Sequence, residues 1–292
     1  MTLEQLRIFI AVAEKQHVTQ AASGLNLTQS ATSAAISALE ARYGIKLFDR
    51  IGRGIALTQT GRDFLDEARA VVARAKAAGQ VLNDLAGLKR GSLTIAASQT
   101  VANYWLPARL RLFQKAHPGI NLHVTIANTE QVARAVHQSS ADLGFVEGEI
   151  DDPSLAIRKI DGDSLVIVVG SNHRWVDQTR IRPKDLTTTD WVLREPGSGT
   201  RAMFDAVLRK AGVELTDLRI VLELPSNEAV RSAVESRGGA TAISNLVVAQ
   251  SLSAGTLHQI KIELSKRSFF FLRHKEKYAS LAETALLKAF DI

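Results

Sequence analysis

The stretch Thr19-Gln-Ala-Ala-Ser-Gly-Leu-Asn-Leu-Thr28, continued by Gln29-Ser-Ala-Thr-Ser-Ala-Ala-Ile-Ser-Ala-Leu-Glu40, decides the fold of the first domain. It predicts two short helices joined by a tight turn over residues 24–27. Thr19 and Thr28 stand where each helix would begin, and a threonine hydroxyl there can accept a hydrogen bond from an N–H of the first turn. The second helix is then expected to bury apolar side chains at helical spacing: Ala31, Ala35, Ile36 and Leu39.

The other face of the second helix is short, polar and uncharged, so its hydroxyls and amides suit base edges in a major groove. The DNA-contacting residues predicted on it are Thr28, Gln29, Ser30, Thr32 and Ser33. A small hairpin over residues 47–57 follows, with its turn at Gly52-Arg53-Gly54. This hairpin would offer the side chains of Arg50 and Arg53 to DNA phosphates.

The order and spacing of these residues resemble the winged helix-turn-helix of LysR-type transcriptional regulators. The matching positions are Ala21-Ala22, Leu25, Thr28-Gln29, Ser33, Ile36, Leu39-Glu40, Gly44, Leu47-Phe48, Arg50, Leu57-Thr58 and Gly61. The family often has proline at the position of Ser30, and a basic residue and glutamine at those of Ala34 and Ala35. The resemblance implies a transcription factor that binds double-stranded DNA at a dyad-symmetric operator, but these departures leave the operator sequence open.

Length and composition indicate a globular protein of two or three domains. The chain has 292 residues, of which 46% are hydrophobic. No apolar run approaches the roughly 18 residues that span a bilayer. Cysteine is absent and the first residues show no secretory pattern, so we expect a cytoplasmic protein without disulfides or a membrane segment. Residues 1–90 carry 12 Lys and Arg against 8 Asp and Glu, which concentrates the positive charge on the side assigned to nucleic acid.

A long helix is predicted from about Thr60 to Leu88. Its apolar residues recur at alternating steps of four and three, as in a coiled-coil seam: Phe64, Ala68, Val71, Ala75, Ala78, Leu82 and Leu85. We expect this helix to form a homodimer, which would place two recognition helices about 34 Å apart. The resemblance implies the same dimer and its assembly into a homotetramer.

Strands alternate with helices after residue 91, which predicts a parallel-rich α/β region. The expected strands are 92–97, 121–127, 142–147, 164–169, 191–194, 219–223, 240–244 and 268–273. The expected helices are 103–115, 130–138, 200–211, 227–236 and 278–291. The resemblance implies two hinged lobes similar to periplasmic binding proteins. The predicted domains are therefore 1–58 (winged helix-turn-helix), 59–90 (linker helix and hinge), 91–162 with 268–292 (first lobe) and 163–267 (second lobe).

Two loops are predicted to bind a ligand. The first contains Ser98, Gln99 and Thr100, and the second is Glu195-Pro-Gly-Ser198-Gly199-Thr200-Arg201. Each joins the carboxyl end of a strand to a helix, where hydroxyls and free N–H groups favour an anion. Arg201 adds a forked donor that could clamp an oxyanion.

The second loop is similar to one found in the LysR-type branch that governs carbon fixation and sulfur or nitrogen assimilation. The resemblance implies a small anionic metabolite as effector, and neither a cofactor nor a metal is expected. Further candidates for lining the cleft are Thr129, Glu147 and Asn227, where Glu147 could accept from a donor of the ligand or brace Arg201. A shift between the lobes would then alter DNA bending or contact with RNA polymerase.

Catalysis is not expected. None of the seven histidines pairs at the spacing of a helical zinc site, and there is no nucleophile elbow. Two alternatives stay open at this point: a phosphoryl- or acyl-transfer enzyme that uses the Gly-Ser-Gly-Thr loop, and a DNA-binding protein that responds to no ligand.

Overall fold

The computed structural model describes residues 1–51, 54–85, 91–178, 181–236, 239–262, 264 and 266–292. Two compact units divide the chain: Met1–Gly87 with Gln138–Ser140, and Leu88–His137 with Ala141–Ile292. None of the helices in the described parts of the chain has the length and apolar character to cross a membrane.

The first unit is a winged helix-turn-helix followed by a long helix. Its elements are α1 (Leu3–Lys15), α2 (Val18–Gly24), α3 (Gln29–Tyr43), β1 (Phe48–Ile51), β2 (Gly54–Leu57) and α4 (Gln59–Leu85). The strands β1 and β2 pair as an antiparallel hairpin, the wing. One core joins all of these elements, including Leu6, Phe9, Ile36, Leu39, Leu47 and Ala68.

Two local predictions for the helix-turn-helix are wrong. Helix α2 begins two residues earlier than expected, and its cap is His17 rather than Thr19, because the His17 ring nitrogen accepts from the N–H of Gln20 at 3.4 Å. On α3, Ala31 is exposed while Thr32 is buried. The buried face of α3 is therefore rotated from the predicted one. The Thr28 cap of α3 is confirmed.

The predicted coiled-coil seam on α4 divides into two parts. Phe64 and Ala68 pack into the core of the first unit. Farther along the helix the seam residues Val71, Leu82 and Leu85 are exposed, Leu85 to 81%. This second part forms an apolar stripe on the helix surface.

The second unit is built on one sheet that passes through two lobes. Its strands are β3 (Gly91–Ser98), β4 (Ile120–Ala127), β5 (Leu143–Glu147), β6 (Leu155–Gly170), β7 (Asp190–Arg194), β8 (Arg219–Leu224), β9 (Ala240–Ser244), β10 (Leu257–Ile260) and β11 (Lys266–His274). The order is β4-β3-β5-β11-β6-β9-β7-β8, with β10 also paired to β6. The pairs β3–β4, β3–β5, β7–β8 and β7–β9 are parallel, while β6 and β11 lie antiparallel to their neighbours.

The helices of this unit cover both lobes. They are α5 (Leu106–Ala116), α6 (Thr129–His137), α7 (Gly199–Lys210), α8 (Asn227–Glu235), α9 (Asn245–Ala254) and α10 (Leu281–Ala289). A π-helical turn, Val101–Trp105, precedes α5, where a single helix was predicted. The predictions missed α9, β10 and the first half of β6. We call lobe I the part with β3–β5, α5, α6 and α10, and lobe II the part with β7–β10 and α7–α9.

Strands β6 and β11 connect the lobes. The first part of β6 pairs with β11, and its last residues pair with β9 and β10. The predicted domain boundaries, between residues 162 and 163 and between 267 and 268, therefore fall inside continuous strands rather than in loops. Each lobe has its own apolar core, around Ile95, Phe145 and Phe269 in lobe I and around Ile167, Trp191 and Phe204 in lobe II.

Candidate DNA-binding surface and effector cleft

The polar surface at the start of α3 is narrower than the sequence indicates. Thr28, Gln29 and Ser30 are exposed, and the Thr28 hydroxyl accepts from the N–H of Ala31 at 3.2 Å. Thr32 has no exposed surface, and its hydroxyl donates to the Thr28 carbonyl at 3.1 Å. The prediction that Thr32 contacts DNA is therefore wrong, because its hydroxyl is engaged within the helix.

Ser33 and Arg50 do come together. Both line a groove of about 390 Å³ between α3 and the wing, which Lys46 also lines. Arg50 is exposed on β1. Arg53 lies outside the described residues. In protein–DNA complexes, basic side chains commonly bind phosphates while short polar side chains contact bases. The Ser33 hydroxyl beside Lys46 and Arg50 fits this pattern.

Glu40 fixes the wing to the recognition helix, a role that sequence reasoning missed. Its carboxylate is buried and accepts from the N–H of Leu47 at 2.8 Å, from the N–H of Phe48 at 3.3 Å and from Lys46 Nζ at 2.9 Å. Burial by itself would raise the pKa of Glu40, but these hydrogen bonds and the Lys46 charge outweigh it and lower the pKa. The charged carboxylate thus orients the chain that leads into β1.

In the first predicted ligand loop, the hydroxyl groups already bind a carboxylate of the protein itself. Ser98 and Thr100 are buried at the end of β3, and both hydroxyls donate to the buried side chain of Glu147 at the end of β5, Thr100 at 3.5 Å. One of the two predicted roles of Glu147 was to brace Arg201. Glu147 instead lies 3.9 Å from Nη1 of Arg267.

Arg267 is a central residue of the cleft that sequence reasoning missed. Its guanidinium has no exposed surface, binds both oxygens of Asp163 and donates to the Thr200 hydroxyl at 2.8 Å. Asp163 also accepts from Ser244 at 2.5 Å. In the sequence, Arg267 is one of many basic residues, and only the position of β11 between β5 and β6 brings it to the cleft.

Arg201 does not face the cleft, so its predicted role as a clamp is wrong. Its guanidinium donates to the carbonyl of Arg194 at 2.8 Å, to Glu223 at 3.0 Å and to Asp205 at 3.0 Å. All of these partners belong to lobe II. Arg201 therefore ties α7 to its neighbouring strands.

Asn227 joins the two lobes by hydrogen bonds to a residue of each. Its side chain donates to Thr100 at 3.1 Å and accepts from Arg194 at 2.5 Å. Gln99 adds a second bridge from lobe I, since its amide oxygen accepts from the N–H of Asn227 at 2.8 Å and its amide nitrogen donates to the Pro225 carbonyl at 2.6 Å. Arg194 is held in turn by both oxygens of Glu195.

A third bridge lies at the outer end of the same contact. Asn103 and Tyr104 of lobe I donate to Glu228 at the start of α8, at 3.2 and 3.3 Å. Burial, followed by the Glu228 charge, raises the pKa of Tyr104, which therefore stays protonated as a donor.

The second predicted loop meets lobe I at the starts of two helices. The N–H of Gly199 donates to the Thr129 hydroxyl at 3.2 Å, and this hydroxyl donates to the Glu147 carbonyl at 2.9 Å. Gly199 leaves no room for a side chain, because a Cβ would lie 2.7 Å from the Thr129 hydroxyl. Thr129 and Gly199 therefore hold the lobes in close contact.

Ser198 differs from the other hydroxyls of the cleft. It is 2% exposed, and within the described residues its hydroxyl has no hydrogen-bond partner. Ser198 stands at the N-cap of α7 without capping it, and the N–H groups of Thr200 and Arg201 in the first turn likewise have no partner in the described chain. Among the described residues, these donors thus lack an acceptor at the N-terminus of a 12-residue helix.

Comparison with known families covers both units. Residues 3–62 match the family described as bacterial regulatory helix-turn-helix protein, lysR family, and residues 86–291 match the LysR substrate binding domain. A probable RuBisCO transcriptional regulator of Thalassiosira pseudonana is 33% identical over 267 residues, which are 90% of this chain and 87% of that protein. YeiE of Escherichia coli K12, an uncharacterized HTH-type transcriptional regulator, is 31% identical over 284 residues, 97% of this chain and 94% of that protein.

Known structures agree on the fold. Full-length CbnR in complex with its target DNA superposes with a TM-score of 0.69 at 22% identity, covering 100% of this chain and 99% of CbnR. The regulatory domain of Synechocystis PCC6803 CcmR in complex with 2-PG superposes with a TM-score of 0.62 at 24% identity, covering 69% of this chain and 96% of CcmR. With family matches over both units and relatives above 30% identity along nearly its whole length, this chain belongs to the LysR family of DNA-binding transcriptional regulators, with a winged helix-turn-helix and a two-lobed ligand-binding domain.

Proposed function

We propose that this regulator responds to a small anionic metabolite whose acceptor oxygens lie at the start of α7. The observation that carries the proposal is the buried Ser198 hydroxyl without a partner among the described residues. The N–H groups of Thr200 and Arg201 and the positive end of the helix dipole add to the same donor group. The regulatory domain of CcmR is known in complex with 2-PG, which supports a metabolite as the kind of effector.

The first loop has a different part in this proposal. The Ser98 and Thr100 hydroxyls already donate to Glu147, so a second anion beside them would meet a buried negative charge. The carboxylate can instead accept from a hydroxyl or another donor of the effector. We therefore expect a polar metabolite whose anionic end faces Ser198 and whose donors face Glu147.

The same geometry supports regulation rather than catalysis. An enzyme that used Ser198 as a nucleophile would need a general base within hydrogen-bond reach. Among the described residues, none makes a hydrogen bond with this hydroxyl. The families and relatives are regulators as well.

For DNA, we propose binding to a dyad-symmetric operator by a homodimer that α4 joins. The exposed seam residues Val71, Leu82 and Leu85 supply an apolar stripe for a second copy of the helix. Gln29 and Ser33 would contact bases in the major groove, with Arg50 on a phosphate. Two dimers would form a homotetramer, and the response would reach the promoter through DNA bending or contact with RNA polymerase.

Effector binding would act by changing the position of lobe I relative to lobe II. The lobes share β6 and β11, and side-chain bridges such as Gln99–Asn227 hold them together across the cleft. The lobes could adopt two relative positions in equilibrium. A ligand shifts this equilibrium only if it binds one relative position more tightly than the other. The bridging contacts are therefore the ones that an effector would strengthen or replace.

The test is heat unfolding of the full chain in the presence of sulfate, phosphate, sugar phosphates and short carboxylates. A ligand at one hundred times its Kd stabilises the folded state by about 2.7 kcal/mol. We expect a stabilising anion whose effect is lost in Ser198→Ala and kept in Ser232→Ala, an exposed serine of α8. Equal stabilisation of both variants would show that the anion binds elsewhere, and the proposed site would be wrong.

A further inference from the structure

A groove of about 780 Å³ runs from Ser198 along the surface between α6 and α7. This volume lies within the range of about 300–1,000 Å³ of sites for organic ligands. Six apolar side chains contribute to its lining: Ala133, Ile150, Ala202, Met203, Ala206 and Phe270. An inorganic anion at Ser198 would leave most of this groove unfilled.

The fold places the polar and apolar parts of the groove in line. The two helices start side by side, because the Gly199 N–H donates to Thr129 and the Glu130 N–H donates to the Gly197 carbonyl at 3.1 Å. Ser198, Ala202 and Ala206 follow at four-residue steps and so share one face of α7. From Ser198 to Ala206 the helix rises about 12 Å. The groove therefore has donors at one end and a short apolar channel beyond them.

Salt bridges account for part of the charge around the groove, which Glu149, Asp151 and Lys266 also line. Arg134 binds Glu130 at 2.7 Å and His137 lies 2.9 Å from Asp152. Arg267 is matched by Asp163. A ligand that extends past Ser198 along α7 meets the small apolar side chains of Ala202 and Ala206, which favours a hydrocarbon segment over a second charged group there.

We infer that the effector is an organic anion with a short hydrocarbon tail, its head at Ser198 and its tail in the groove between α6 and α7. This inference rests on the proposed anion site and adds the chemical class of the ligand. Small side chains at Ala202 and Ala206 leave the space for the tail, and Met203 and Phe270 supply its contacts.

The experiment titrates the full chain with methyl phosphate and butyl phosphate, and with acetate and pentanoate, by calorimetry. Each methylene buried in the groove should lower the Kd about fourfold. Ala206→Phe fills the groove two turns from Ser198, so it should raise the Kd of the longer ligand of each pair about tenfold or more while changing that of the shorter one less than about twofold. Ala249→Phe, at an exposed alanine of α9 outside the groove, is the control and should behave like the wild type.

Each outcome has a distinct meaning. If long and short ligands bind equally and both depend on Ser198, the anion site stands and the tail inference is overturned. If the longer ligands bind more tightly but Ala206→Phe leaves their Kd unchanged, the tail lies elsewhere and the inference is again overturned. If no probe shows binding that Ser198→Ala weakens, the proposed anion site fails and the tail inference fails with it.

Discussion

Nη1 of Arg267 donates to the hydroxyl of Thr200 at 2.8 Å, which connects β11 to the first turn of α7. The same guanidinium neutralises Asp163 and approaches Glu147. Arg267 therefore connects strand β6, which both lobes share, with the start of α7 in lobe II and with the Glu147 carboxylate of lobe I.

Removal of Arg267 should be strongly destabilising. Arg267→Ala leaves the buried Asp163 without its counter-charge, and breaking such a pair costs about 3–5 kcal/mol. All three tryptophans, Trp105, Trp175 and Trp191, lie in the second unit, so their fluorescence during urea unfolding follows this unit. Lys210→Ala, at an exposed position of α7, should shift the unfolding midpoint little. Similar midpoints for both variants would contradict the assignment of Arg267.

Gly199 should tolerate no side chain. In Gly199→Ala the new Cβ would overlap the Glu147 carbonyl and the Thr129 hydroxyl, so the lobes must separate locally or α7 must shift. Overpacking of this kind costs about 1–3 kcal/mol. Gly91→Ala, in β3 of the same unit, is the matched change, because the nearest atom to its Cβ position is the Ala282 Cβ at an ordinary contact distance of 3.9 Å. The unfolding midpoint by tryptophan fluorescence should fall only for Gly199→Ala, and an unchanged midpoint there would show that the lobes do not meet at this glycine.

The Glu40 contact should make the wing sensitive to acid. Its folded pKa lies below the usual value of 4.5, so the stabilisation is complete above about pH 4.5 and is lost as the pH falls through the lower folded pKa. Protection factors for the N–H groups of Leu47 and Phe48 measure this directly. In the wild type they should fall on acidification, whereas in Glu40→Ala, which removes the acceptor oxygen, they should already be low at pH 7, by about 1–3 kcal/mol in opening free energy. Protection factors in Glu40→Ala that match the wild type at pH 7 would rule out the contact.

Substitutions at neighbouring residues of α3 should differ in their effect on DNA binding. Against a fragment selected by the wild type from random DNA, Gln29→Ala and Ser33→Ala should each cost about 1–3 kcal/mol and relax the sequence preference. Arg50→Ala should weaken binding to all sequences and reduce the salt slope by about 1. Thr32→Val, in contrast, removes a hydroxyl that is buried in the helix. Thr32→Val should therefore leave the sequence preference unchanged. A changed preference would show that Thr32 does contact DNA.

The dimer should depend on the outer part of the α4 seam. Leu82 is 69% exposed in the single chain, so Leu82→Asp costs the isolated protein little. In a coiled coil the same aspartate would be buried beside its copy, where like charges repel. Sedimentation should therefore show dissociation of Leu82→Asp at concentrations where the wild type is oligomeric. An unchanged molar mass would place the subunit contact elsewhere.

Local signals were enough for most elements. Strand β9 was predicted with its exact bounds, and helix α3 begins after its predicted cap at Thr28, because apolar periodicity and hydroxyl caps act over a few residues. Strand β10 and the first half of β6 were missed, since short strands of mixed polarity depend on their partners. His17 replaced Thr19 as a cap for the same reason: both can accept from a helix N–H, and the choice depends on packing.

The amino-acid sequence alone determined the family, the winged helix-turn-helix and the two loops at the cleft, because each rests on residues close together in the chain. Only the tertiary structure decided which arginine enters the cleft. Arg201 was predicted from its place in a loop, but Glu223 and Asp205 engage it within lobe II. Arg267 is distant in sequence, and strand pairing of β11 with β5 and β6 carries it to Thr200 and Asp163. Side-chain partners across a sheet depend on pairing between distant segments, and no local pattern encodes that choice.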